Sequence, residues 1–140
     1  MNRLVPLFTS LLILGSTAHA ACTVPKGMAH GRVASSPLLK YDCAETQDLM
    51  ARYKKSSFKP KWVEVYSGKF DKPTITYAAQ IIRAFAKEGF SAKVNNLSGD
   101  STDRGYTFTK GNLALGGQIV VYQLLTRRES GELLLMMVGR

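Results

Sequence analysis

Residues 71–90, DKPTITYAAQIIRAFAKEGF, decide the fold, because they have the pattern of one complete amphipathic helix. Apolar side chains recur at the three- and four-residue spacing of a buried stripe: Ile75, Ala78, Ala79, Ile82, Phe85 and Ala86. Polar side chains follow the same spacing on the opposite face: Thr76, Gln80, Arg83 and Lys87. We therefore predict a helix over residues 73–88 that packs on a sheet through its apolar stripe.

The same stretch carries signals for both ends of this helix. Asp71 can accept a hydrogen bond from a backbone N–H of the first turn, and Pro73 there loses no donor that the helix needs. Gly89 can adopt the left-handed conformation after the last turn, and Phe90 would then pack back on Phe85.

The segment before the helix predicts a strand over residues 61–70. Its side chains alternate, with two valines on one face and three larger residues on the other: Val63 and Val65 against Trp62, Glu64 and Tyr66. A short strand is expected at 91–96, and this strand–helix–strand order also allows a parallel crossover.

The last third of the chain has the strongest strand patterns. Residues 118–126 and 132–138 are apolar on both faces, which predicts two central strands joined by a turn over 127–131. Residues 97–117 are polar and predict a loop, broken by a weak strand at 106–109.

Together these elements predict an α+β fold. We expect an antiparallel sheet of about four or five strands, covered by the one main amphipathic helix. A shorter N-terminal helix is expected at 42–55, where Asp42 and Glu45 have the spacing of a capping box. Residues 42–140 would form a single domain.

The first twenty residues have the pattern of a signal peptide. Arg3 is followed by an apolar run over residues 4–15 and by the small-residue sequence Ala18-His19-Ala20, so we expect cleavage near Ala20. The run is too short for a membrane-spanning helix, which needs about 20 apolar residues. Loss of Arg3 would lower the formal charge from +9 to +8. The mature protein would then be periplasmic or secreted, with no stable membrane span.

Cys22 and Cys43 are the two cysteines, and in an exported protein they are expected to form a disulfide. The bond would tether an irregular arm over residues 21–41 and contribute roughly 3 kcal/mol, in the chain-entropy model, by closing its loop. Two alternatives for these residues are a metal-binding pair and a catalytic thiol. A third is acylation of Cys22, although residues 19–21 lack the usual aliphatic residue.

The sequence shows no catalytic set. Nucleophilic triads need a histidine base, and after residue 20 only His30 is present, in the irregular arm, where we interpret it as a loop residue. Carboxylate pairs for a small hydrolase remain as an alternative: Asp42 with Glu45, or Asp100 with Asp103. Residues 99–103 lack the spacing of an EF-hand loop. We therefore assign no catalytic residues, metal ligands or cofactors.

Basic residues are concentrated between positions 52 and 72, where only Glu64 and Asp71 oppose them. A basic surface attracts anionic polymers, and interleaved aromatic rings can stack on bases or sugars. The candidate binding residues are Arg52, Lys54, Lys55, Lys59, Lys61, Trp62 and Tyr66. Because aromatic rings gain most from burial, we favour a fold in which Trp62 and Tyr66 face the core, and the aromatic platform would then be lost.

The run from Trp62 to Val94, with GFSAKV after the helix, resembles the first half of a SPOR-type peptidoglycan-binding domain. The resemblance covers about 33 residues of strand, helix and strand and implies envelope-polymer binding. The second half departs from that family, since a tight hairpin at 129–131 replaces its second helix. A helix followed by adjacent strands is also similar to secretion-chaperone folds. We therefore assign no family.

The leading hypothesis is a non-enzymatic binding module of a bacterial envelope. Its partner would be an envelope protein or an anionic polymer, such as a glycan, lipopolysaccharide or DNA, with nucleic acid the less favoured. The alternative is an interaction protein, an inhibitor or assembly factor, that uses the 97–117 loop or the C-terminal hairpin. The sequence does not determine the oligomeric state.

Overall fold

The computed structural model describes residues 22–70, 74–95, 103–124 and 127–140. The described helices are α1 Met28–Gly31, α2 Cys43–Lys54 and α3 Thr74–Lys87. The described strands are β1 Lys40–Tyr41, β2 Trp62–Phe70, β3 Ser91–Asn95, β4 Asp103–Lys110, β5 Leu113–Leu124 and β6 Arg127–Gly139. The predicted α+β class is therefore confirmed.

The strands form one sheet of six strands in the order β1-β2-β6-β5-β4-β3, and every neighbouring pair is antiparallel. The expected number of four or five strands is thus too low. The predicted central position of the two apolar strands is confirmed, since β5 and β6 lie in the middle of the sheet. β2 and β3 are not neighbours, so α3 connects strands on opposite sides of the central pair.

Two predicted connections are strands instead. Within the expected polar loop 97–117, β4 pairs along its whole length with β5, from Asp103↔Val120 to Lys110↔Leu113. An alternating polar sequence can form such a strand when one side of the sheet faces water. The predicted turn 127–131 lies in β6, where Gly131 is opposite both Phe70 and Gln123. In both segments, pairing with neighbouring strands decides the structure, and turn composition does not.

Helix α3 ends as the sequence predicts. Gly89 has a φ of 85°, and the N–H of Phe90 donates to the carbonyl of Phe85 at 3.1 Å. The Gly89 N–H donates to Ala86 at 3.0 Å, which completes the pair of bonds typical of a glycine-terminated helix. The predicted cap at Asp71 and the first-turn Pro73 lie outside the described residues.

The apolar stripe of α3 is centred differently from the prediction. Among the described side chains, which begin at Tyr77, the most buried are Tyr77, Ile81 and Phe85, while Ile82 is half-buried and Ala86 is exposed. The predicted stripe residue Ile75 lies outside the described side chains. A tyrosine can bury its ring and keep its hydroxyl hydrogen-bonded, so it can take a place that the prediction gave to alanines. The stripe packs on the sheet through Phe85, whose ring stacks on Phe108 at 4.0 Å between centroids.

The same face of the sheet is also covered by residues 22–41. Met28, Ala29, Val33 and Leu39 are buried in the cluster that contains the α3 stripe and the inward side chains of β6. The disulfide between Cys22 and Cys43 is present, with a Cα–Cα distance of 5.9 Å. The arm is therefore part of the main core as well as tethered to the start of α2.

Helix α2 packs on the opposite face, over β2. The Glu45 N–H donates to Oδ1 of Asp42 at 3.0 Å, which confirms the predicted N-cap. The reciprocal bond is not made, because the Asp42 N–H donates to the carbonyl of Val65 at 2.8 Å. The Thr46 hydroxyl accepts from the Val65 N–H at 2.9 Å and joins helix to strand. Among the described residues, no helix is long and apolar enough to cross a membrane.

Candidate functional site

The predicted basic residues lie at the C-terminal end of α2 and in its connection to β2. Lys54, Lys55, Lys59 and Lys61 are all exposed. The connection is ordered by Ser56, whose N–H donates to Tyr53 at 3.1 Å and whose hydroxyl contacts the carbonyl of Phe58 at 2.8 Å. The lysines are thus displayed on a structured turn.

The fold adds to these four lysines one cation that sequence reasoning missed, Arg140. The Lys61 N–H donates to the carbonyl of Gly139 at 2.9 Å, which places Arg140 next to the lysines. The Arg140 guanidinium lies over the ring of Phe58, 5.1 Å from its centroid. We refer to Lys54, Lys55, Lys59, Lys61 and Arg140 as the basic end.

Local contacts distinguish these cations from one another. Arg52 is paired with Asp48 of the preceding turn, with an Nε–Oδ2 distance of 3.0 Å, so its charge is largely balanced. Lys59 contacts the carbonyl of Lys54 with its ammonium and stabilises the end of the helix. Lys54, Lys55, Lys61 and Arg140 form no ion pair within the described parts of the chain.

The two aromatic candidates do not lie beside the lysines as a platform. The predicted alternation of β2 is confirmed, but both of its faces are covered, one by α2 and the other by the arm. Tyr66 is 4% exposed and packs edge-to-face on Tyr41. Trp62 is half-buried and stacks on His30, with 5.5 Å between ring centroids and 15° between planes.

Glu64, one of the two acidic residues that oppose the basic stretch in the sequence, is buried with 4% exposure. Its Oε1 accepts from the His30 N–H at 2.8 Å, and its Oε2 accepts from the Tyr66 hydroxyl at 3.0 Å. Ala29 and His30 have φ values of 54° and 57°, in the left-handed region that such residues rarely adopt. The carboxylate therefore holds the arm in a strained turn, and it contacts the backbone of His30, not the imidazole.

Burial and the neighbouring Glu64 carboxylate raise the pKa of Tyr66 far above its ordinary value near 10. Above pH 10 the unfolded chain then binds fewer protons than the folded one at this site, so stability falls as pH rises. We expect a contribution of roughly 1.4 kcal/mol per pH unit in the wild type, absent from Tyr66→Phe. Urea unfolding at several alkaline pH values measures it, and equal slopes in the two proteins would contradict the assignment.

Two grooves flank α2 on its face of the sheet. The larger, of about 910 Å³, is lined by charged residues of both signs: Lys40, Arg52, Lys69, Asp42, Glu45 and Glu132. Asp42 is engaged as the helix cap through Oδ1 and accepts from the Ser67 hydroxyl at 3.3 Å through Oδ2, so both of its carboxylate oxygens have protein donors. The smaller groove, of about 260 Å³, is lined by uncharged residues beside Tyr53.

Three further sequence-based candidates are the Asp100–Asp103 pair, a metal site and a protein interface. Asp100 lies outside the described residues, and Asp103 begins β4. The described part of the chain contains no group of three or more His, Cys, Asp or Glu side chains that could hold a metal ion. In the loop and hairpin suggested for a protein interface, the described residues lie mainly in the paired strands β4, β5 and β6, and residues 97–102 lie outside the described part of the chain.

Comparison of this chain with models of protein families, with curated proteins and with solved structures found no match. We therefore infer function from the geometry of the basic end, of the buried Glu64 and of the two grooves beside α2.

Proposed function

We propose that this protein is a non-enzymatic binding module that holds an anionic polymer at its basic end. The observation that supports the proposal is the convergence of Lys54, Lys55, Lys59, Lys61 and Arg140 at one end of the molecule. No acidic residue occurs in the sequence between Asp48, which is paired with Arg52, and Glu64, which is buried.

The arrangement favours a polymer over a small anion. The five cations are spread along a turn and a strand end and do not surround a closed pocket. Charges distributed in this way act over about the Debye length, roughly 8 Å at physiological salt, and match a ligand with repeated charges. The formal charge, +9 for the whole chain and +8 without residues 1–20, adds long-range attraction in the same direction.

The proposal includes export to a bacterial envelope or beyond. It is supported by the signal-peptide pattern of residues 1–20 and by the Cys22–Cys43 disulfide, which is compatible with an oxidising compartment. In that setting the available anionic polymers include acidic glycans, lipopolysaccharide and released DNA.

The prediction is that replacing three lysines of the basic end lowers retention on heparin resin. The variant Lys54→Gln/Lys55→Gln/Lys61→Gln should elute at clearly lower salt than the wild type, because it loses three of the clustered charges. The matched control, Lys26→Gln/Lys87→Gln/Lys93→Gln, removes the same charge from exposed positions elsewhere and should elute close to the wild type.

Two outcomes would overturn the proposal. One is flow-through of the wild type at about 0.15 M salt, since specific polyanion binding should survive that ionic strength. The other is an equal loss of retention in both triple variants, which would mean that net charge alone determines binding.

A further inference from the structure

The smaller groove on the α2 face has a different chemistry from the basic end. Its volume is about 260 Å³, and every side chain that lines it is uncharged. We refer to it as the Tyr53 groove. Its lining includes Tyr53, Asn95, Thr107, Gln118 and Val138. Pockets for drug-sized ligands usually exceed about 300 Å³, so this one has the size for a single ring.

The lining of the Tyr53 groove combines an apolar wall with amide and hydroxyl groups. The Asn95 Nδ2 donates to Oγ1 of Thr107 at 2.8 Å, which fixes both side chains at the edge of the sheet. A carboxamide has two donors and an acceptor oxygen, so Asn95 keeps hydrogen-bonding capacity beyond that bond. Gln118 supplies a second carboxamide, and Val138 an apolar surface. Such a lining suits a sugar ring, which has C–H faces and hydroxyl edges.

The Tyr53 groove adjoins the basic end through Tyr53. Tyr53 lies in the last turn of α2, directly before Lys54 and Lys55, and its ring packs on Phe58 at 5.5 Å. The Arg140 guanidinium in turn lies over the ring of Phe58. One ligand could therefore place an uncharged ring in the groove and anionic groups against the cations.

We propose that the Tyr53 groove binds a sugar ring of an anionic polysaccharide whose charged groups contact the basic end. This inference rests on the proposed function and narrows its ligand class from polyanions to acidic glycans. Nucleobases fit less well, because they stack on exposed aromatic faces. Here Arg140 covers a face of Phe58, and Tyr53 already packs edge-to-face against it.

The test compares two probes by calorimetry: a hyaluronan hexasaccharide, in which uncharged N-acetylglucosamine rings alternate with anionic glucuronates, and an oligothymidylate of the same charge. The variant Asn95→Ala/Gln118→Ala should weaken hexasaccharide binding roughly tenfold, as expected for the loss of two hydrogen bonds, and change oligothymidylate binding by less than about twofold. The matched control, Gln80→Ala/Asn112→Ala, removes an exposed Gln and an exposed Asn elsewhere and should bind both probes as the wild type does.

A second measurement does not depend on the fold of a variant. In the wild type, the side-chain amide resonances of Asn95 and Gln118 should shift on titration with the hexasaccharide. Unshifted resonances, or equal weakening of both probes by the groove variant, would overturn the glycan inference and leave the polyanion proposal standing. Failure of the wild type to bind either probe would overturn the proposed function and this inference with it.

Discussion

Replacing Phe85 by alanine should lower the free energy of unfolding by about 3–5 kcal/mol, the cost of removing a large ring from a closed core. Phe85 is fully buried at the centre of the α3 stripe. Its ring stacks on Phe108 of the sheet and packs edge-to-face on Phe90, 5.7 Å away. Truncation therefore removes contacts with both the sheet and the end of its own helix.

Urea unfolding followed by circular dichroism measures this loss, with Phe58→Ala as the matched control. Phe58 is half-buried at the surface, so its truncation should cost less than about 1.5 kcal/mol. A domain of this size is stable by about 5–15 kcal/mol, and the Phe85 variant should therefore unfold at much lower urea. If the two variants were equally stable, the stack of Phe85 on Phe108 would not lie in a closed core.

Much of α3 could be predicted because its determinants are local. The end of the helix depends on Gly89 and on contacts within five residues, which a sequence pattern displays directly. The centre of the stripe depends on the surface that the sheet offers. That surface has a buried aromatic residue, Phe108, in contact with Phe85. Tyr77 and Ile81 are buried on the same side of the helix, where spacing alone favoured alanines.

The number of strands could not be predicted for a related reason. The β4 sequence is polar on one side, and a single strand of that kind has the composition of a loop. It becomes a strand because β5 pairs with it on one edge and β3 on the other. Pairing depends on distant residues, and local composition cannot show it.

The candidate site likewise has a part that local sequence predicts and a part that depends on distant residues. The lysines at 54–61 are adjacent in sequence, so their clustering was visible from composition. Arg140 joins them only through the pairing of β2 with β6, in which Trp62 is opposite Gly139. The Tyr53 groove likewise needs β3, β4, β5, β6 and α2 to be brought together, and no pattern within one segment indicates it.

Glu64 is the residue whose role differs most from the sequence interpretation, and Glu64→Ala should cost about 3 kcal/mol. Hydrogen bonds to a charged group contribute roughly 1.5–3 kcal/mol each, and the carboxylate accepts two. The Tyr66 hydroxyl keeps a second acceptor, the Gly27 carbonyl at 3.3 Å, but the His30 N–H loses its partner. The left-handed turn at Ala29 and His30 should then open, because its strain of about 1–3 kcal/mol per residue is no longer offset.

Tryptophan fluorescence can detect this opening, because Trp62 is the single tryptophan and stacks on His30. We expect Glu64→Ala to change the Trp62 emission and speed hydrogen exchange at the His30 amide before global unfolding. Glu64→Gln keeps one acceptor oxygen and should lose roughly half as much stability. The matched control, Glu132→Ala, removes an exposed glutamate from β6 and should stay within about 0.5 kcal/mol of the wild type. Wild-type emission and exchange in Glu64→Ala would show that the arm is held by its apolar contacts, through Met28 and Val33, and not by the buried carboxylate.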